Sequence, residues 1–184
     1  MSVAPGQTVG PFFRLGLRLD GGNELVPPAS PGAIRLHGRV LDGDGAPVPD
    51  AMIEIWQAGP DGQILQVPGS LRRDGWTFTG WGRADTDTDG HYFFSTLAPG
   101  PSAPGRPAFF AVTVFARGLM DRLFTRAYLP ADEAVLAADP LLAALPADRR
   151  ATLVTSSDDR GLVFDIRLQG EGETVFLRYP KHSR

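Results

Sequence analysis

From Ala33 onward, Ile34, Leu36, Gly38 and Val40 fall on every second position, the period of a strand with one buried face. The run DGDGAPVPD at 42–50 is dense in turn formers, and a second apolar run, AMIEIWQA, follows at 51–58. Together they predict a strand, a turn and a strand. Further β-branched and aromatic runs occur at 91–97 (HYFFSTL), 108–117 (AFFAVTVFAR), 123–129 (LFTRAYL), 162–169 (LVFDIRLQ) and 174–179 (TVFLRY). Turn signals separate them, a spacing that predicts a mostly β, single-domain β-sandwich. Between 131 and 153 the composition shifts to Ala, Leu, Asp and Arg. Short helical patterns open at 132–134 and at 147–152 and are split by Asp139-Pro140 and Pro146, which predicts a short helical insertion. Residues 1–32 carry too little periodicity for a core element. They read as an extended N-terminal arm, suited to packing on a partner subunit, ahead of a sandwich domain at 33–184.

Composition narrows the classes of function. A chain of 184 residues supports one domain with a proper core. The net charge of −3 offers no electrostatic footprint for nucleic acid or for an anionic membrane. The 22 glycines and 17 prolines sit between apolar runs, where they punctuate strands. With no cysteine, disulfides, thiolate nucleophiles and Cys-based metal sites are excluded together, which fits a reducing compartment. The N-terminus lacks a basic stretch followed by an apolar one, and no run of about 18 apolar residues occurs, so the expectation is a soluble, cytoplasmic protein.

Few motifs carry chemistry. DTDTDG at 85–90 copies the first half of a calcium loop, but the position of that loop's bidentate Glu is Thr96, so the segment reads as a turn whose Asp side chains bind backbone amides. His37, His91 and His182 are far apart and stand at no ligand spacing, and Tyr92, Tyr128 and Tyr179 show no grouping. The residues themselves therefore point to no metal. No GxSxG elbow and no glycine-rich phosphate cradle is present, and SSDD at 156–159 reads as a polar loop. Arg117 differs in kind: it ends an apolar run and precedes Gly118, which delivers a permanent cation at a strand end. A guanidinium placed there could clamp a carboxylate, or could serve as a surface ion pair.

Seven segments taken in order resemble the protocatechuate 3,4-dioxygenase branch of the intradiol ring-cleavage dioxygenases. They are QTVGPF (7–12), GRVLD (38–42), IEIWQA (53–58), GWGR (80–83) with TDTDG (86–90), VFARG (114–118), TRAY (125–128) and FDIRLQGEGETVF (164–176). Each is weak alone, and the collinear set is specific. The resemblance implies a β-sandwich that packs against a sister subunit. It also implies a reaction, in which a non-haem ferric ion held by two Tyr and two His binds a catecholate, and dioxygen opens the ring between the hydroxyl-bearing carbons.

The departures from that pattern decide the role it implies. The family's HxH follows a Pro-Ala, and here Pro107-Ala108 is followed by Phe109, Phe110 and Ala111. The two ligand tyrosines fall on Ser102 and near Gln63. Such a chain resembles the family's iron-free α-type subunits, with no catalytic and no metal residues of its own. Fe(III) is then bound by a partner β subunit, within a large αβ hetero-oligomer acting on a small catechol carboxylate. By the same resemblance Thr8, Gly10, Pro11 and Phe12 line the substrate pocket, and Arg117 attracts the substrate's carboxylate. Phe12 departs from the tyrosine that related chains carry there and has no hydroxyl to donate. The alternative reading is a non-catalytic, transthyretin-like binding module, which would have no use for the TVGPFF arm.

Overall fold

The computed structural model describes residues 8–10, 12–67, 74 and 77–179. Two sheets form the molecule. Strands β1 (Ala33–Leu41), β4 (His91–Leu97), β7 (Ser156–Asp158) and β8 (Gly161–Val163) lie in the order β4-β1-β8-β7, and β9 (Ile166–Arg167) also pairs with β1. Strands β2 (Met52–Gln57), β3 (Trp81–Asp85), β5 (Phe109–Phe115) and β6 (Leu123–Tyr128) form the second sheet, in the order β3-β2-β5-β6.

The alternation read from the sequence sets which side chains face inward. Leu36, Val40, Tyr92 and Phe94 of the first sheet meet Ile53, Ile55, Phe110, Val112 and Val114 of the second in one buried cluster. This is the interdigitated core of a sandwich, in which each fully buried apolar side chain is worth about 1.5–3 kcal/mol. Gln57 is a polar exception. Its amide donates to the Leu97 carbonyl at 2.8 Å and accepts from the Thr96 hydroxyl at 2.5 Å, so it bonds β2 to β4 across the core.

Several elements differ from the sequence expectation. Strand β3 was hidden in a segment, GWGR, whose alternation is masked by two glycines. The run at 162–169 divides into β8 and β9 around Phe164 and Asp165, because the Asp165 carboxylate takes the Arg39 N–H at 2.8 Å that a ladder carbonyl would otherwise take. The run at 174–179 makes one isolated bridge, Leu177 to Phe124, and no strand. SSDD at 156–159 begins as strand β7 and turns back into β8 on Asp158, whose Oδ1 accepts the Arg160 and Gly161 N–H groups.

Within 133–151 lie three short helices, α2 (Glu133–Ala137), α3 (Pro140–Ala143) and α4 (Ala147–Ala151). Asp139 caps α3 by accepting from Leu141 N at 2.8 Å, with Pro140 at the first helical position. Leu136, Leu142 and Leu153 bury against Tyr128 and make a second, smaller core. The arm contains α1 (Phe13–Leu17), and Leu25 behind it enters the main core while its N–H bonds the Ser95 carbonyl. Among the described residues no helix is long and apolar enough to cross a membrane.

Candidate functional site

Arg117 follows β5 and is largely exposed, and its Nε stands 3.2 Å from Oδ2 of Asp50. Asp50 precedes β2 and is mostly buried; its second oxygen, Oδ1, is buried without a donor among the described residues. The segment that presents Asp50 is held by Thr86. The Thr86 hydroxyl donates to the Val48 carbonyl at 2.7 Å and accepts from Ala51 N at 2.9 Å, and Thr86 N bonds the Ala51 carbonyl. Thr86 belongs to the TDTDG motif, in which Asp87 Oδ1 accepts the Asp89 and His91 N–H groups at 2.9 Å and Gly90 takes φ 71°.

The arm reaches the same place. The Arg14 guanidinium donates to the carbonyls of Pro49 at 2.8 Å and Thr86 at 3.1 Å, and its Nε pairs with Asp85 at 3.3 Å. A chain of contacts therefore runs from Arg14 through Pro49 and Asp50 to Arg117. Thr8 and Gly10 are exposed, Phe12 is 74% exposed, and Pro11 lies outside the described residues. The fold thus ties the arm two residues beyond Phe12 to the strand end that carries Arg117. Arg14, Asp50 and Asp85 were missed by the sequence reading, since an Arg in a short arm and an Asp in a turn carry no periodicity signal. TDTDG was the one clue to their support.

The positions that correspond to the family's imidazoles lie on the outer face of the second sheet. Phe109 opposes Tyr128 and Ala111 opposes Arg126 in the β5–β6 register. The Arg126 guanidinium lies 4.3 Å over the Phe109 ring, donates to the Tyr128 hydroxyl at 3.0 Å and stands 3.7 Å from the Asp139 carboxylate. Gln63 and Ser102, at the tyrosine positions, are both exposed, in loops packed so closely that a Cβ on Gly62 would meet the Pro101 carbonyl at 2.3 Å. A phenyl ring, a methyl group, a hydroxyl and an amide offer a ferric ion neither phenolate nor imidazole, and the guanidinium places a fixed positive charge against the first position. These residues do not fit the metal. Burial pushes the Tyr128 hydroxyl up to about 12, while the bond from Arg126 acts in the opposite direction.

The structure also joins two histidines that the sequence keeps apart. The His37 and His91 rings lie 5.6 Å apart on the outer face of the first sheet, and His37, almost fully buried, bonds Asp158 at 3.0 Å. Desolvation lowers the pKa of His91 against the pull of Asp87, with His37, Arg35 and Arg160 adding to the lowering. His182 lies outside the described residues.

A two-sheet sandwich of this topology is the fold of the intradiol dioxygenases among solved structures. Residues 28–170 match the family model described as Dioxygenase, and the chain belongs to that family, the intradiol ring-cleavage dioxygenases. It is 40% identical to the protocatechuate 3,4-dioxygenase alpha chain of Burkholderia cepacia, over 96% of this chain and 98% of the relative. It is 34% identical to the beta chain from the same organism, over 79% of this chain and 68% of the relative. Among solved structures, the dioxygenase domain of a carbohydrate-binding fusion protein from Streptomyces sp. SirexAA-E matches with a TM-score of 0.59 at 25% identity, covering 80% of this chain and 87% of that one.

Proposed function

We propose that this chain is the metal-free α subunit of a protocatechuate 3,4-dioxygenase, an enzyme of aromatic catabolism in the cytoplasm. In this reading it assembles with an iron-bearing β subunit into a large αβ hetero-oligomer, which uses O2 to open 3,4-dihydroxybenzoate to 3-carboxy-cis,cis-muconate. The observation that carries the reading is the Arg126 guanidinium stacked on Phe109, a fixed cation beside non-ligating side chains where the family holds its metal. The near full-length likeness to an alpha chain supports it.

The contribution of this chain is positional and electrostatic. Arg117 presents a planar fork whose Nε is held by Asp50, which fixes the plane and keeps other donors for the substrate's carboxylate. In this reading Thr8, Gly10 and Phe12 line the substrate pocket together with Pro11, which lies outside the described residues, and Arg14 fixes the arm to the sandwich. The redox chemistry belongs to the partner's ferric ion.

The test is to purify this chain alone and with its β partner, then measure iron content and oxygen uptake with protocatechuate. Iron and turnover confined to the complex are expected. Stoichiometric iron and turnover in the isolated chain would overturn the proposal.

A further inference from the structure

A cleft of about 460 Å³ opens between the arm and the sandwich, and its wall carries four guanidiniums, those of Arg14, Arg18, Arg35 and Arg83. Three of them are already committed. Arg14 pairs with Asp85 at 3.3 Å, Arg83 with Glu54 at 2.6 Å, and Arg18 loosely with Asp20 at 3.8 Å. The remaining carboxylate in the wall, Asp87, is engaged by the backbone N–H groups of its own turn.

Arg35 is different. Its guanidinium lies 4.4 Å over the Phe93 ring, and among the described residues it makes no ion pair or hydrogen bond. Its Nε is buried without a partner among the described residues, and so is Nε2 of His91, which lines the same cleft. Both residues project from the outer face of the β1–β4 ladder, where Arg35 opposes Ser95, His37 opposes Phe93 and Arg39 opposes His91. A buried polar nitrogen without a partner is rare in a folded protein, and a missing water or ion is a standard explanation for one. Two of them at one cleft, one on a guanidinium that no carboxylate pairs among the described residues, mark a site that lacks a hydrogen-bond partner.

We propose that this cleft binds a small oxyanion, a carboxylate or a phosphate, with the Arg35 guanidinium as its anchor. The planar fork matches two oxygens of such an anion, and its seat 4.4 Å over the Phe93 ring limits its freedom before the anion arrives. Arg14 and Arg18 add positive potential from the arm, while Asp85 and Asp87 are held by Arg14 and by the turn amides. The volume suits an anion of up to small organic-acid size. The anchor Arg35 is separate from Arg117 and the Phe109 region, which lie outside the cleft wall, while Arg14 and Asp85 border both places.

The test is binding of inorganic phosphate and, separately, acetate to the full chain, followed by calorimetry and thermal shift, with chloride holding ionic strength constant. Saturable binding of either anion in the millimolar range is expected, weakened about tenfold or more in Arg35→Gln, as expected for loss of hydrogen bonds to a charged group. Arg122→Gln, outside the cleft, retains it. Arg35→Lys keeps the charge and loses the fork, so it should fold and bind more weakly than wild type. A response to phosphate alone identifies phosphate as the ligand, and a response to acetate alone identifies a carboxylate. No saturable response to either anion in the wild type, or wild-type affinity in both Arg35 variants, would overturn the proposal.

Discussion

Asp50 holds Arg117 through a 3.2 Å contact to Nε while its other oxygen is buried without a donor among the described residues, so a turn carboxylate orients a cation at the end of β5. The Arg117 end of this pair is largely exposed, and solvent screening there limits what the pair adds to stability. Its replacement should therefore be felt in the substrate. Arg117→Ala in the αβ enzyme is expected to raise the Michaelis constant for protocatechuate about tenfold to a hundredfold, the equivalent of about 1.5–3 kcal/mol for a hydrogen bond to a charged group. Steady-state kinetics beside a melting curve separate the two effects. An unchanged Michaelis constant would remove Arg117 from the site.

Leu15 and Phe12 are exposed apolar residues on an arm that Arg14 fixes in place. If the arm packs on the partner subunit, Leu15→Glu should weaken co-purification of the β chain. Its own fold should be unaffected, since surface changes usually stay within about 0.5 kcal/mol. Size-exclusion chromatography of the co-expressed pair reads the first effect, and circular dichroism reads the second. Full assembly of the variant would place the interface elsewhere.

Tyr128 is fully buried, and its hydroxyl is raised to about 12. A tyrosine whose folded pKa lies above its unfolded value of about 10 favours the protonated folded state, so stability is intact below pH 10 and declines as pH rises toward 12. The loss amounts to about 2–3 kcal/mol once the folded group ionises. Ultraviolet titration of phenolate absorbance should show one tyrosine ionising late. Arg126→Gln should delay it further, because Arg126 favours the phenolate.

Asp158 behaves in the opposite sense. Desolvation pulls its pKa upward, but the Arg160 N–H, the His37 ring and the Arg160 side chain together hold the carboxyl well below the usual carboxylate range. A depressed folded pKa contributes stability that is present above the unfolded value of about 3.9 and is lost as pH falls below it. Denaturant midpoints should therefore drop on going from pH 5 to pH 3. In His37→Phe the drop should be shallower, with the Asp158 carboxyl carbon titrating higher in an NMR series.

Gly38 is required by contact distance, not by a left-handed backbone. A Cβ there would meet the Phe164 carbonyl at 2.0 Å, the same carbonyl that accepts from the buried Tyr92 hydroxyl at 2.6 Å. Gly38→Ala should destabilise the chain by about 3 kcal/mol or more, as overpacking against backbone does. A melting temperature within a degree of wild type would show that β8 can shift away without cost.

The sequence by itself determined the sandwich, because a period of two over Ile34 to Val40, 53–57 and 110–114 leaves one buried face to each strand. It also fixed that Phe109 and Ala111 carry no metal-ligating side chain, since ligand chemistry is a property of residue type. Only the tertiary structure decided what stands in their place. Arg126 reaches Phe109 through strand pairing between β5 and β6, and strand pairing leaves no local trace in the sequence. The same holds for Asp50 beneath Arg117, His37 beside His91, and Arg35, which has no counter-ion among the described residues. Each is a relation between positions distant in sequence, set by register and by the packing of the arm, whereas periodicity reports only which way a side chain faces.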